Sequence, residues 1–214
     1  MSLQHNISIT AVNAGKKFGR EWIFKNVDLE INQGEKVVIL GLNGSGKSTL
    51  LQALTGYLSL NKGHVHFLEN QQKIEDDKQY QLISLASPYL ELVEDFTLKE
   101  QIEHASIYKP FLKYLTINQV IELSGLSAHK NKYIKLFSSG MKQRLKLTLA
   151  ILADTPILFL DEPTTNLDAT VINWYKNMIA DYAKDKTIIV CSNSIKEEYE
   201  FCNKTIRMED FKKI

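Results

Sequence analysis

Apolar and polar positions alternate in short, turn-separated runs over the first third of this 214-residue chain, and helical periods take over later. Strand-like runs fall at Ile7–Val12, Trp22–Ile31, Lys36–Leu40, His64–Leu68, Leu82–Ala86, Ile157–Leu160, Thr187–Cys191 and Thr205–Met208. Val37–Leu40 and Ile157–Leu160 are apolar throughout, as central strands of a parallel sheet covered on both faces should be. Helical patterns occupy Lys47–Tyr57, Ser139–Ala153, Ala169–Ala183 and Ile195–Phe201. The early strands come with turns but no helices, so this part reads as antiparallel. Met1–Thr10 alternates like an edge strand. The expected class is α/β, with a mixed sheet and an antiparallel β flank.

Residues 88–137 break the alternation. They read as helical, with Leu98–Tyr108 and Ile117–Leu123 as the clearest pieces, punctuated at Pro110, Gly125 and Gly140. The chain is therefore expected to form a single domain, 1–214. Its core comes from 1–87 and 138–214, and about 88–137 forms an α-helical insertion.

Bulk composition narrows the function classes. Apolar residues make up 44% of the chain, enough for a substantial core. With 26 basic and 25 acidic residues the net charge is +1, so no global field draws the chain to nucleic acid or an anionic membrane. Lys130, Lys132, Lys135, Lys142 and Lys146 cluster locally, either as a basic patch or as a solvated face. Cys191 and Cys202 form no metal-ligand spacing and no disulfide framework, which suits a reducing compartment. No secretory signal pattern is visible. The apolar runs fall far short of the ~18 residues that a membrane span requires. Any membrane role is expected to come through a partner.

Directly after Val37–Leu40 the chain reads Gly41-Leu42-Asn43-Gly44-Ser45-Gly46-Lys47-Ser48-Thr49. This is the G-x-x-x-x-G-K-[ST] phosphate loop, in the strand-then-helix context that its chemistry needs. Glycines let the loop turn its N–H groups inward around phosphates, aided by the positive end of the following helix. Asn43 to Thr49 would cradle a nucleoside triphosphate with Mg²⁺. Lys47 would reach its β- and γ-phosphates, and the Ser48 hydroxyl would ligate Mg²⁺. Farther along, Ile157–Leu160 runs into Asp161-Glu162-Pro163. A buried strand delivers its last residues to the carboxyl edge of the sheet, where ligands bind in open α/β folds. Asp161 would hold Mg²⁺, and Glu162 would polarise an attacking water.

Phe137-Ser138-Ser139-Gly140-Met141-Lys142-Gln143-Arg144 lies just before that strand. It resembles the signature motif of ATP-binding cassette (ABC) proteins, whose common form is Leu-Ser-Gly-Gly-Gln followed by Gln-Arg. Ser138, Gly140, Gln143 and Arg144 match; Phe137, Ser139 and Met141 depart from it. A Ser-Ser-Gly turn that opens an amphipathic helix also presents free N–H groups, hence an anion site. Glu162-Pro163-Thr164-Thr165-Asn166-Leu167-Asp168 resembles the family's Walker B running into its D-loop, and Phe18 sits where an A-loop aromatic stacks on adenine. Strand packing is the other reading of Phe18. Motif order extends the resemblance over nearly the whole chain, with a P-loop NTPase core.

The resemblance implies a sandwich dimer with two shared ATP sites. Ser138 and Gly140 of one chain would contact the γ-phosphate held by Lys47 of another, a homodimer or a pairing with a close homologue. It also implies a membrane transport subunit as partner, and a place in the cytoplasm, peripheral on the membrane face. Pro88–Phe96 lies where the family docks that partner, and core packing is its other reading. Two polar residues of the family are missing. Asn193 stands where most members place a switch histidine that contacts the γ-phosphate. An amide can donate a hydrogen bond to phosphate but cannot carry charge or shuttle a proton near neutral pH. Ser87 is the best positional match for the Q-loop glutamine that touches Mg²⁺ and the attacking water. A shorter reach there implies measurable but modest turnover. The leading reading is the ATPase subunit of an ABC transporter, with no direct contact to nucleic acid. A soluble ABC ATPase acting on nucleic acid or the ribosome, and a weakly hydrolytic nucleotide switch, are the alternatives.

Overall fold

Alternate residues of the central strands sort onto opposite faces of one parallel sheet. In this computed structural model, which describes residues 6–211, the chain forms β1 (Ile7–Phe18), β2 (Glu21–Ile31), β3 (Lys36–Leu40), α1 (Lys47–Leu54), β4 (Lys62–Glu69), β5 (Gln72–Lys73) and β6 (Ile83–Ala86). Two helices follow, α2 (Leu98–Tyr108) and α3 (Ile117–Leu123). Then come α4 (Ser139–Leu152), β7 (Ile157–Asp161), α5 (Ala169–Tyr182), β8 (Thr187–Ser192) and β9 (Lys204–Arg207). The parallel sheet has the order β6-β7-β8-β3-β9. Val38, Leu158, Leu160, Ile188 and Val190 point into one core, while Val37, Ile39, Ile157, Phe159 and Ile189 point into the other. An unbroken apolar run is what two buried faces demand.

The second core is closed by α1 and by a separate antiparallel sheet of order β2-β1-β4-β5, through Leu50, Leu54, Ile9, Phe24 and Phe67. Parallel and antiparallel pairing therefore occupy two different sheets. The first core is closed by helices. Leu98 and Ile102 of α2 and Val120 and Ile121 of α3 share one cluster with Leu147 and Ile151 of α4. Both short helices start at capping boxes, Thr97 with Glu100 and Thr116 with Gln119. Residues 88–137 thus share the core of the parallel sheet. Lys142 and Lys135 pair with Glu94 at 2.5 Å and Asp95 at 2.9 Å, and Lys146 Nζ donates to Pro88 O at 2.9 Å. Lys142 and Lys146, both on α4, tie the insertion to that helix, whereas the Lys135–Asp95 pair lies within the insertion.

Three expectations change. The helix expected at Ile195–Phe201 is a single 3-10 turn, Lys196–Glu198. Ser194 has φ +72°, the Ser192 hydroxyl takes the Ile195 N–H at 3.2 Å, and Glu198 is drawn fully inside. Local side-chain bonding of this kind competes with helix. The first helix stops at Leu54 instead of Tyr57, because Gly56 turns out at φ +76°. β1 lies between β2 and β4, so the strand beginning at Ile7 is interior rather than an edge; Met1–His5 lie outside the described residues. Among the described residues, no helix is long and apolar enough to cross a membrane.

Lys186, 6% exposed, ties the end of α4 to the start of β8. Its Nζ donates to Ile151 O at 2.9 Å and Ala153 O at 2.5 Å. Burial pulls its pKa down to about 8. The unfolded chain keeps this proton up to about pH 10.4, so as pH rises through 8 the folded state releases it first and gains stability. Relative to Lys186→Met, the wild-type protein should therefore gain up to about 2 kcal/mol between pH 7.5 and 9.5. Urea unfolding of both proteins at the two pH values measures this, and an unchanged gap between them would refute it.

Candidate functional site

Parallel pairing brings the ends of three strands to one level. Leu40 of β3 pairs with Ser192 of β8, and Asp161 of β7 pairs with Cys191. The phosphate loop, the two carboxylates and Asn193 therefore leave the same edge of the sheet. The loop closes over a groove of about 410 Å³ lined by Asn43, Gly44, Gly46, Lys47, Ser48, Thr49 and Glu162. Gly46 is needed twice: its φ is +98°, and a Cβ there would lie 2.4 Å from Ile23 Cγ2.

Lys47 is 4% exposed. Its Nζ donates to Gly41 O at 3.0 Å, to Leu42 O at 3.2 Å and to the Asn193 side-chain oxygen, and lies 3.9 Å from Glu162 Oε1. Asn193 Nδ2 donates to the same Glu162 oxygen at 2.8 Å. Glu162 itself has φ +46°, a left-handed backbone that turns its side chain back over the strand end. Next to this trio, both oxygens of Asp161 accept hydroxyls, Oδ1 from Ser48 at 3.0 Å and Oδ2 from Ser87 at 3.3 Å. Burial pushes the Asp161 carboxyl up, and the charge of Glu162 adds to this. Hydrogen bonds from Ser48 and Ser87 and the Lys47 cation pull the other way. An acid held in so dry a place, with two hydroxyls converging on it, fits a hard divalent cation with oxygen ligands.

Beyond Glu162 the chain is gripped from two sides. Gln143 Nε2 of α4 donates to Pro163 O at 3.0 Å. Glu198 Oε1 accepts from Thr164 N at 3.1 Å and from Thr164 Oγ1 at 2.8 Å. Burial raises the Glu198 carboxyl pKa, against the hydrogen bonds from Ser192 and Thr164.

Ser138, Gly140 and Asp168 line a different groove, of about 320 Å³, together with Asn166 and Arg144. Ser138 caps α4 by accepting Met141 N–H at 3.2 Å, and Asp168 caps α5 by accepting Val171 N–H at 3.0 Å. Arg144 lies over the Trp174 ring at 4.6 Å. Within one chain the structure thus unites Asn43–Thr49, Ser87, Asp161, Glu162 and Asn193, and sets the Ser138 group apart. Phe18 ends β1 and is 53% exposed with Lys16 Nζ 5.2 Å from its ring centre, so it is not a core residue. Two groove residues escape sequence reading, Ile23 of β2 and Tyr89 just past Ser87. Neither carries a motif. Tyr89 is 75% exposed, so an apolar ring in a loop beside the expected Q-loop position was the available signal.

The family model described as ABC transporter matches residues 24–165. An uncharacterized ABC transporter ATP-binding protein of Bacillus subtilis is 28% identical over 193 residues, 89% of this chain and 63% of its own length. The glutamate/aspartate import ATP-binding protein of Escherichia coli K12 is 28% identical over 221 residues, 95% of this chain and 88% of its own. Among solved structures, a putative ABC transporter ATP-binding protein of Pyrococcus furiosus superposes with a TM-score of 0.77 at 19% identity, covering 95% of this chain and 98% of that one. A dimeric post-hydrolysis ATP-binding cassette bound to ADP and Pi superposes with the same score at 24% identity, covering 93% of each chain. These structural likenesses establish the fold, a P-loop cassette. The family match spans the phosphate loop, the signature helix and the Asp-Glu strand in their expected order. The chain belongs to the ABC transporter family.

Proposed function

We propose that this chain is an ATP-hydrolysing subunit that drives a separate membrane transport protein. The observation that carries the reading is the meeting of Lys47, Asp161, Glu162 and Asn193 at one end of the parallel sheet. ATP would lie along the loop from Asn43 to Thr49, with Lys47 against its β- and γ-phosphates and Phe18 against adenine. Ser48 and Asp161 would hold Mg²⁺, with Ser87 beside them, and the ion would neutralise charge on the phosphate oxygens. Glu162 would orient a water and accept its proton as that water attacks the γ-phosphorus. The bond to the bridging oxygen breaks, and ADP and phosphate leave. Asn193 acts through Glu162, whose carboxylate it holds.

Ser138 and Gly140 stand at the N-terminus of the 14-residue α4, an anion-binding position, in a groove apart from Lys47. This supports a site completed by a second copy or a close homologue. The dimeric cassette bound to ADP and Pi, which shares the fold, supports it as well. For the membrane partner, the support is an apolar groove of about 350 Å³ between β6 and α2, rimmed by the exposed Tyr80, Leu90 and Tyr108. Of the Pro88–Phe96 stretch, Leu92 packs on the core while Tyr89, Leu90 and Val93 are exposed. Core packing therefore accounts for only part of that stretch, and its exposed side chains support the docking reading. The protein would sit on the cytoplasmic face of the membrane, held by its partner.

Removing the proton acceptor should uncouple binding from hydrolysis. Glu162→Gln is expected to lose about 100-fold or more of the ATPase rate and to accumulate as dimers in sizing columns run with Mg-ATP. A variant that stays monomeric at saturating Mg-ATP would overturn the shared-site reading. The amide at 193 also sets a rate. Asn193→His should raise turnover several-fold and add an ionisation near pH 6.5 to its pH profile, absent from the wild type. Unaltered rate and profile would mean that the 193 position does not limit hydrolysis.

A further inference from the structure

The Lys47 ammonium has three N–H donors, and three protein oxygens take them: Gly41 O, Leu42 O and Asn193 Oδ1. A phosphate oxygen reaches this nitrogen only in exchange for one of those partners. The Gly41 and Leu42 carbonyls are backbone of the phosphate loop itself, so giving them up means rebuilding the loop. Asn193 holds on through a side chain with two rotatable bonds, and it is half-buried at the end of β8. Its other end is also engaged, because Nδ2 donates to Glu162 Oε1 at 2.8 Å. One carboxamide therefore spans the cation that would bind phosphate and the carboxylate that would activate water.

We propose that Asn193 is a latch on the ATP site: its carbonyl oxygen competes with nucleotide phosphate for Lys47, while its NH₂ group positions Glu162. This rests on the ATPase reading of the same site and adds a regulatory role to it. The two ends of the amide act with opposite sign. Loss of the oxygen frees Lys47 and tightens nucleotide. Loss of the NH₂ removes the hydrogen bond that holds Glu162, leaving it only the Lys47 cation at 3.9 Å, and slows turnover. A side chain serving only as a γ-phosphate ligand would behave differently, because its removal weakens ATP and leaves ADP unaffected.

Mg-ADP is the discriminating probe, since it offers Lys47 a β-phosphate but has no γ-phosphate for Asn193 to contact. By calorimetry, Asn193→Ala should bind Mg-ADP about 10- to 100-fold more tightly than wild type, the scale of one released hydrogen bond to a charged group. Its kcat for ATP should fall about tenfold or more. Asn193→Asp places a carboxylate against Lys47 and beside Glu162, so it should weaken Mg-ADP about tenfold or more. A misfolded variant would lose affinity and turnover together, whereas the latch predicts that they move apart. Unchanged or weaker Mg-ADP binding in Asn193→Ala overturns the latch while leaving the ATPase reading intact. If wild-type protein binds neither Mg-ADP nor Mg-ATP, the ATPase reading itself falls.

Discussion

The parallel hydrogen bonding of β7, β8 and β3 is the constraint on which the rest of this structure depends. It fixes Leu40 beside Ser192 and Cys191 beside Asp161, so three chain segments far apart in sequence emerge side by side. A slip of one residue in any strand would exchange its two faces. The strands bury both faces, so such a slip would also mismatch two cores at once. Val38 and Leu160 would trade places with Val37 and Phe159, which pack against different partners. Packing thus holds this edge in register, and one core residue reaches it directly: Cys191 O accepts the Glu162 N–H at 2.9 Å, and Cys191 Sγ lies 3.5 Å from Lys47 O.

At that edge, charge is managed by local pairing in a dry setting. Lys47, Glu162 and Asp161 lie together, and a buried charge is tolerated only when its partners are close. Lys47 bonds to two loop carbonyls and one amide; Asp161 takes two hydroxyls. The Asp161 carboxyl is nevertheless held above its ordinary range by burial and by Glu162. A divalent cation would relieve the crowding of the Asp161 and Glu162 carboxylates, whereas Lys47 already has three oxygen partners. Binding chemistry and electrostatic relief point the same way.

The site is also wired to its surroundings through the loop after Glu162. Gln143 from the signature helix and Glu198 from the turn after β8 hold adjacent residues, Pro163 and Thr164. Tyr175 of α5, fully buried, donates its hydroxyl to Glu198 O at 2.9 Å. Groups beside Asn193 and groups beside Ser138 therefore meet on one short segment that carries Glu162 at one end and Asp168 at the other. The segment that Glu198 grips runs on to Asn166 and Asp168, which line the groove where Ser138 and Gly140 lie.

The sequence alone determined the chemistry of the loop. Glycines at 41, 44 and 46, Lys47 and Ser48 form a contiguous pattern whose function follows from local backbone geometry, and Asp161-Glu162 after an apolar strand is nearly as local. The two buried faces were legible as well, because unbroken apolar strands have no other stable place. Tertiary structure alone decided what these groups touch. No local rule says that the Asn193 amide bridges Lys47 and Glu162, that Ser87 bonds to Asp161, or that Ile23 and Tyr89 wall the groove, since these bonds join residues that are 146, 31 and 74 positions apart and the two wall residues lie outside any motif. The helix expected at Ile195–Phe201 failed for the same reason. Its apolar period is real, but burying Glu198 against Thr164 and turning the backbone at Ser194 outweigh a helical propensity that only neighbouring residues could express.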